Sequence, residues 1–227
     1  MAQPARQMDV IEDIDPFMES MNKLLAWAKA RQKQLIVWAV VLIVLIAALA
    51  GAAYFYNRAQ NRAAIALGKA MDAYAAARAS NSPFSAYGVI EGEFKKIMDK
   101  YGYTDSADIA LMQYAAVCSF SGDYDKAVDA YKKALDKHGD DPMLRDLLES
   151  GLAFSYLGKK DYKKAASWFE KITKEPDAIG KDEAYFNLGL IYAKSGQNKK
   201  SMEAFKKIVA DFPGSIYLEA AKLRIAG

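Results

Sequence analysis

The chain has 227 residues, one cysteine, one histidine and a formal net charge of +3 from 31 Lys and Arg against 28 Asp and Glu. A single cysteine excludes an intramolecular disulfide, and a single histidine leaves no second imidazole or thiol at metal-ligand spacing. So small a charge excess gives no field for nucleic acid, and no base-reading motif accompanies it.

Residues 1–34 carry five basic and five acidic side chains. Phe17, Met21, Leu24, Leu25 and Ala28 recur at helical spacing behind Asp15 and Pro16, which suit cap and first-turn positions, so the spacing predicts an amphipathic helix in this tail. Its apolar side has three readings: it rests on a lipid surface, it meets a partner's cytoplasmic loop, or it belongs to a short helix that simply runs into the next element.

Residues 35–56 contain no charge, and 12 of the 22 are Leu, Ile, Val or Phe. At about 1.5 Å per residue a helix of this length covers roughly 33 Å, enough for the hydrocarbon core of a bilayer. Trp38 near one end and Tyr54, Phe55 and Tyr56 at the other suit the two interfaces. The run predicts a transmembrane helix. Lys23, Lys29, Arg31 and Lys33 precede it closely, against Arg58, Arg62 and Lys69 after it, which keeps the tail in the cytoplasm and sends the long remainder across the membrane. In a bacterium that remainder is periplasmic and the anchor is single-pass in the inner membrane. A cleaved signal peptide is the rival reading, because Ala48, Leu49 and Ala50 form a cleavage-like site before Gly51. The long charged prelude and the continuation of the apolar run to Tyr56 favour an uncleaved anchor.

Residues 57–227 read as all-helical and repetitive. FKKIMDKYGYTDSA from Phe94, YKKALDKHGDDPML from Tyr131, FEKITKEPDAIGKD from Phe169 and FKKIVADFPGSIYL from Phe205 restate one helix end at spacings of 36 to 38 residues. That is the period of stacked helical hairpins. Gly102, Gly139, Pro142, Pro176, Gly180, Pro213 and Gly214 punctuate the helices, and strand alternation is absent. In the last unit, residues 182–215, Tyr185, Leu188, Gly189, Tyr192, Gly196, Phe205 and Pro213 resemble the tetratricopeptide repeat signature, with Ser201 where that family usually has Ala. Residues 108–141 match through Ala115, Gly122, Tyr124, Ala127, Tyr131 and Ala134, with Cys118 where Tyr is usual. Residues 146–179 match through Leu152, Ala153, Tyr156, Tyr162, Ala165, Phe169 and Ile172. A degenerate unit, 58–107, pairs the Ala-rich stretch 58–79 with a helix over about 85–101 through a turn at Ser80, Asn81, Ser82 and Pro83. Residues 216–226 read as a solvating end helix.

The resemblance implies an all-α tetratricopeptide-repeat solenoid that binds proteins. Its groove is lined in this family by one face of each first helix. Carried over by position, that face presents Ile109, Met112, Gln113, Ala116 and Phe120, then Leu147, Ser150, Phe154 and Leu157, then Phe186, Asn187, Leu190 and Lys194. The face is largely apolar, and it reads either as a groove for an apolar segment or partner helix or as packing against the protein's own helices. Only Asn187 and Lys194 suit the clamp by which some relatives grip a C-terminal carboxylate, too few to form one.

The layout also is similar to that of YfgM-like proteins, carried by Tyr54, Phe55, Tyr56, Asn57 and Arg58 followed by Ala63, Ala64, Ala70, Ala73 and Tyr74. That resemblance implies a single-spanning inner-membrane adaptor whose partners are subunits of the Sec translocon, a membrane-anchored periplasmic chaperone and emerging polypeptides. A structural scaffold within a cell-envelope complex, serving cell-wall synthesis, outer-membrane maintenance or a secretion apparatus, is the alternative.

Motifs for catalysis are missing: there is no nucleophile elbow, phosphate loop or dinucleotide fingerprint, so neither enzyme activity nor a cofactor or metal is expected. Cys118 reads as a small buried hydrophobe, and His138 as a helix-end residue on the backbone dipole. Asp123, Asp125, Asp140 and Asp141 fall at turns, where capping or solvated roles are expected. Six Lys-Lys doublets, starting at 95, 132, 159, 163, 199 and 206, read as solvated surface or as contacts to acidic lipid or an acidic partner.

Overall fold

The computed structural model describes residues 16–79 and 87–226, so Asp15 and the predicted turn at Ser80, Asn81, Ser82 and Pro83 lie outside the described residues. The chain divides into two compact units, Met1–Phe55 and Tyr56–Gly227.

The first unit holds α1 (Pro16–Ala30) and the start of α2 (Gln32–Ala79). Helical hydrogen bonds continue past the single intervening residue, with Arg31 N 3.1 Å from Trp27 O and Leu35 N 3.0 Å from Arg31 O. By length and composition α2 can cross a membrane, and none of its most apolar 18-residue window is buried inside the protein. The helix runs unbroken from the apolar stretch into the Ala-rich one, and no proline lies between Gln32 and Ala79 to break it.

In the second unit, the Ala-rich part of α2 buries Ala59, Ala63 and Ala70. A π-helical turn, Ile90–Phe94, leads into α3 (Lys95–Tyr101). Then follow α4 (Asp105–Ser121), α5 (Tyr124–His138), α6 (Pro142–Gly158), α7 (Tyr162–Lys174), α8 (Lys181–Lys194), α9 (Asn198–Asp211) and α10 (Leu218–Ala226). Among the described residues there is no strand. From α3 onward each helix packs on its sequence neighbour, and α4 also touches α6. The end helix starts at Leu218; Ile216 sits in the preceding turn at 88% exposure.

Side-chain caps fix several helix starts. Thr104 accepts from Ala107 N, Asp123 from Lys126 N, Asp141 from Met143 N and Leu144 N, and Asp161 from Lys164 N, each satisfying an amide that the helix itself leaves unpaired. Two hairpin turns use left-handed glycines, Gly122 at φ 86° and Gly196 at φ 71°. The equivalent turn between α6 and α7 places Lys160 there instead, at φ 59°, a conformation its Cβ disfavours.

Small residues set the helix spacing. Ala110, Ala115, Ala127, Ala153 and Ala165 have no exposed surface, and a Cβ on Gly189 would stand 2.5 Å from the Phe205 ring. Ser201 Oγ donates to Gly189 O at 2.7 Å, so the residue that replaces the usual Ala adds a bond between the two helices of the last hairpin.

Three substitutions test this packing and turn geometry, each read by urea denaturation of residues 57–227. Gly189→Ala should lower stability by about 1–2 kcal/mol, because overpacking outweighs a gain of about 1 kcal/mol in helix propensity. At Gly68, where a Cβ meets nothing within 4 Å, Gly68→Ala should leave stability equal or higher. Lys160→Gly, which relieves the left-handed strain, should raise stability by about 0.5–1 kcal/mol.

Candidate protein-binding surface

The first-helix faces differ in how far their apolar residues are satisfied internally. On α4, Met112, Gln113 and Ala116 are half-buried, whereas Ile109 is exposed and Phe120 is 92% exposed with no ring neighbour among the described contacts. On α6, Met143 and Leu147 are exposed, and Phe154 turns the edge of its ring to Phe169 at 5.3 Å and 84°. On α8, Phe186 stacks on Tyr217 at 4.8 Å and meets Phe205 at 5.8 Å, so much of its ring faces the protein's own C-terminal end. Asn187 is buried, and its amide donates to Glu183 O at 2.9 Å. Lys194 is exposed, with its ammonium 5.3 Å from the Tyr162 ring centre.

Leu157, Asn187, Leu190 and Lys194 come together in one cleft of about 350 Å³ between α6 and α8, completed by Gly158, Lys160, Tyr162 and Ile191. Met112, Gln113, Ala116, Phe120, Phe154 and Phe186 do not line it. Met143 and Ile179, at 69% and 66% exposure, add apolar surface that position matching missed. Met143 lies one turn before the matched repeat begins. Ile179 lies in a connection that the repeat signature does not describe.

A polar cluster ties the π-helical turn to the first full hairpin. Glu91 accepts from the Tyr114 hydroxyl at 3.0 Å and from Lys126 at 2.7 Å, while the Tyr87 hydroxyl donates to Asp123 at 2.7 Å and accepts from Lys126 at 2.9 Å. The Lys126 hydrogen bond holds the Glu91 carboxyl below its ordinary value, and the Tyr87 hydrogen bond does the same for Asp123. Lys126 is raised, chiefly by its hydrogen bond to Glu91. Burial pushes Tyr87 up to about 12, and pushes the Cys118 thiol beneath the cluster up to about 11, which keeps that thiol protonated and unreactive. This network was not legible as a motif, since Glu91 and Lys126 are 35 residues apart.

Two acidic residues of α6 are buried. Asp146 accepts from Ile179 N at 2.8 Å and so fastens the connection between α7 and α8. Glu149 has no exposed surface; Lys171 Nζ approaches one of its oxygens at 2.6 Å as an ion pair without hydrogen-bond geometry. His138 is the last residue of α5, at the helix end where the sequence put it; its Nε2 also lies 3.0 Å from an Asp108 oxygen, and Lys137 pairs with the same carboxylate. Both lysines of every doublet are exposed. A cleft of about 700 Å³ among α3, α4 and α5 mixes Lys95, Lys133 and Lys137 with Asp99, Asp108 and Asp136 and so presents no single sign of charge.

Helical hairpins packed in sequence order, with apolar side chains left on their first helices, define a repeat scaffold for protein–protein interaction. The sequence matches the tetratricopeptide repeat-like domain over residues 26–225, and the chain belongs to that family. Its fold is similar to the crystal structure of a tetratricopeptide repeat protein from Parabacteroides merdae ATCC 43184, with a TM-score of 0.55 and 17% identity over 70% of this chain. The match covers 59% of that protein's chain and bears on the fold alone. No curated protein matches the sequence. Folds of this kind are typically non-catalytic.

The polar cluster sets an acid limit. Because Glu91 and Asp123 are depressed in the folded state from ordinary values of 4.5 and 3.8, their contribution is present above those values and is lost as pH falls through the folded ones. The urea midpoint of residues 57–227 should therefore drop as pH falls from about 5 to about 3. In Glu91→Gln the midpoint should start lower near neutrality and change less over the same range.

Proposed function

We propose that the chain is a single-pass inner-membrane adaptor of the YfgM-like kind. Residues 1–34 form its cytoplasmic tail, 35–56 its span and 57–227 its periplasmic repeats. The observation that carries this reading is the continuity of α2, whose apolar first half has no buried window and whose Ala-rich second half packs in the repeat unit. The family match supports it, since it begins at residue 26 and takes in the apolar helix together with the repeats. A bilayer around 35–56 removes a large apolar surface from water, which none of the described residues does.

On this reading the repeats gather subunits of the Sec translocon, a membrane-anchored chaperone or an emerging polypeptide. The binding groove comprises Met112, Gln113, Ala116, Phe120, Phe154, Leu157, Phe186, Asn187, Leu190 and Lys194. Exposed Phe120, Ile109 and Leu147 supply apolar contact, and the Leu157–Lys194 cleft supplies hydrogen-bonding groups.

Affinity purification of the full chain in mild detergent tests the proposal: translocon subunits or a membrane-anchored chaperone should be recovered, and their repeated absence counts against it. Phe120→Glu should lower recovery about tenfold by placing a charge in an apolar contact, with the fold intact because the ring is already in solvent. Phe154→Glu and Phe186→Glu should instead cost about 2–4 kcal/mol of stability, since each ring has aromatic partners inside the protein. Recovery unchanged in Phe120→Glu would favour the envelope-scaffold alternative, in which assembly runs through the outer face or the span.

A further inference from the structure

Helix α1 is amphipathic over its whole length. At about 100° per residue, Trp27, Leu24, Phe17, Met21, Leu25 and Met18 fall within an arc of about 180° that includes one polar residue, Ser20, and Asn22, Ala26, Ala30 and Glu19 occupy the other half. Lys23 and Lys29 stand at the two borders between the halves, where long side chains reach from an apolar floor to charged groups above it. Five of the apolar side chains are at least half exposed: Phe17 at 64%, Met18 at 54%, Leu24 at 61%, Leu25 at 59% and Trp27 at 50%. The Arg31 guanidinium lies 5.6 Å from the Trp27 ring centre, at the single residue that separates α1 from α2.

Charge along this stretch is segregated. The acidic residues Asp9, Glu12, Asp13, Asp15 and Glu19 all precede Lys23, Lys29, Arg31 and Lys33, so the end of α1 that adjoins α2 is purely basic. The apolar stripe also carries on across Arg31, where Leu25 and Ala28 of α1 and Leu35, Ile36 and Ala39 of α2 line one shallow groove together with Lys29 and Gln32. An apolar half-cylinder with lysines at its borders, a tryptophan at its basic end and direct continuity with a bilayer-length apolar helix fits the headgroup and acyl boundary better than it fits a protein groove.

We infer that α1 is an interfacial helix that lies on the anionic phospholipid surface of the membrane entered by α2. Its apolar half sinks among the acyl chains, and Lys23, Lys29, Arg31 and Lys33 meet the lipid phosphates. The chain turns between surface and span at Arg31, which in the bilayer opens the hydrogen bonds from Arg31 N to Trp27 O and from Leu35 N to Arg31 O that otherwise carry the helix across this residue. This inference rests on the membrane reading of α2, and the experiment separates the two.

The full chain carrying Cys118→Ala is given one cysteine at a time, as Met18→Cys, Met21→Cys or Leu25→Cys on the apolar half, Asn22→Cys, Ala26→Cys or Ala30→Cys on the polar half, and Ile43→Cys within α2. Each variant is spin-labelled and reconstituted in nanodiscs of phosphatidylglycerol and phosphatidylethanolamine, and the ratio of oxygen to nickel-chelate accessibility is read. Ile43→Cys should report hydrocarbon, and the ratio at 18, 21 and 25 should exceed that at 22, 26 and 30 by about threefold or more. In discs of phosphatidylcholine alone, or with Lys29→Glu and Arg31→Glu together in anionic discs, that contrast should shrink, each lost basic contact weakening surface binding about fivefold. Hydrocarbon at 43 with equal, aqueous ratios along α1 overturns the inference and leaves the span reading standing. An aqueous label at 43 overturns both. A contrast seen in native membranes but absent from lipid-only discs assigns the face to a protein and also overturns it.

Discussion

Close approach of antiparallel helices at small side chains is the constraint on which the repeat unit depends. Where Gly189 faces Phe205, a single added carbon has no room, and the fully buried Ala115 and Ala153 hold the corresponding positions of the two earlier units. Small residues at the crossings let the backbones approach, and the aromatic side chains then fill the space between one hairpin and the next. Since each helix packs mainly on its sequence neighbours, the stability of the unit is close to a sum of local interfaces, and its two ends need special treatment. At the C-terminal end α10 closes a separate small core of Phe205, Ile208 and Ala221, with Phe186 and Tyr217 against it. At the other end the π-helical turn buries Ile90 and Phe94, and Tyr74 of α2 meets Phe94 edge-on at 6.4 Å.

That constraint explains why so much of the fold was legible in the sequence. Small residues at crossings, aromatics at spacings of 36 to 38 and Asx or Thr caps are local features, and each repeats because each hairpin solves the same packing problem. The acidic turn residues Asp123 and Asp141 could be read as caps for the same reason: their partners are two or three residues away. The features that escaped are those whose partners lie on a different helix. Glu149 sits on a helix whose pattern offers no sign that a carboxylate is fully buried, because the cation that answers it, Lys171, belongs to the next helix. The cluster joining Glu91 to Lys126 and the pairing of His138 with Asp108 have the same character. A π-helical turn changes the helical register by one residue, which no composition signal marks.

The candidate surface divides along similar lines. Position within the repeat identifies which residues stand on a first-helix face, but whether they are available depends on what the neighbouring helix offers. Phe154 and Phe186 have aromatic edges or faces within reach and turn toward them, while Phe120 has none and projects into solvent. Gathering Leu157, Asn187, Leu190 and Lys194 into one cleft requires the α6–α7 turn to bring Lys160 and Tyr162 beside α8. Lys160 occupies that turn in a left-handed conformation where the neighbouring units use glycine, so the cleft gains a basic side chain at the cost of about 1 kcal/mol of backbone strain.

A surface of this kind binds weakly in isolation. Its exposed apolar residues are few and part of its predicted face is already satisfied internally, so burial does not favour strong capture. On the proposed membrane reading, that weakness is compatible with function because anchoring changes the reference state. Partners held in the same membrane meet the repeats at an effective concentration far above their bulk value, so a shallow groove can be occupied without a large interface. An interfacial α1 would strengthen the same effect by opposing rotation and tilt of the anchor, since each of its apolar side chains and basic groups adds a contact to the plane of the bilayer. The demand on the groove is then selectivity rather than affinity, which Asn187, Lys160 and Lys194 can supply through directed polar contacts while Phe120 and Leu147 supply the apolar area.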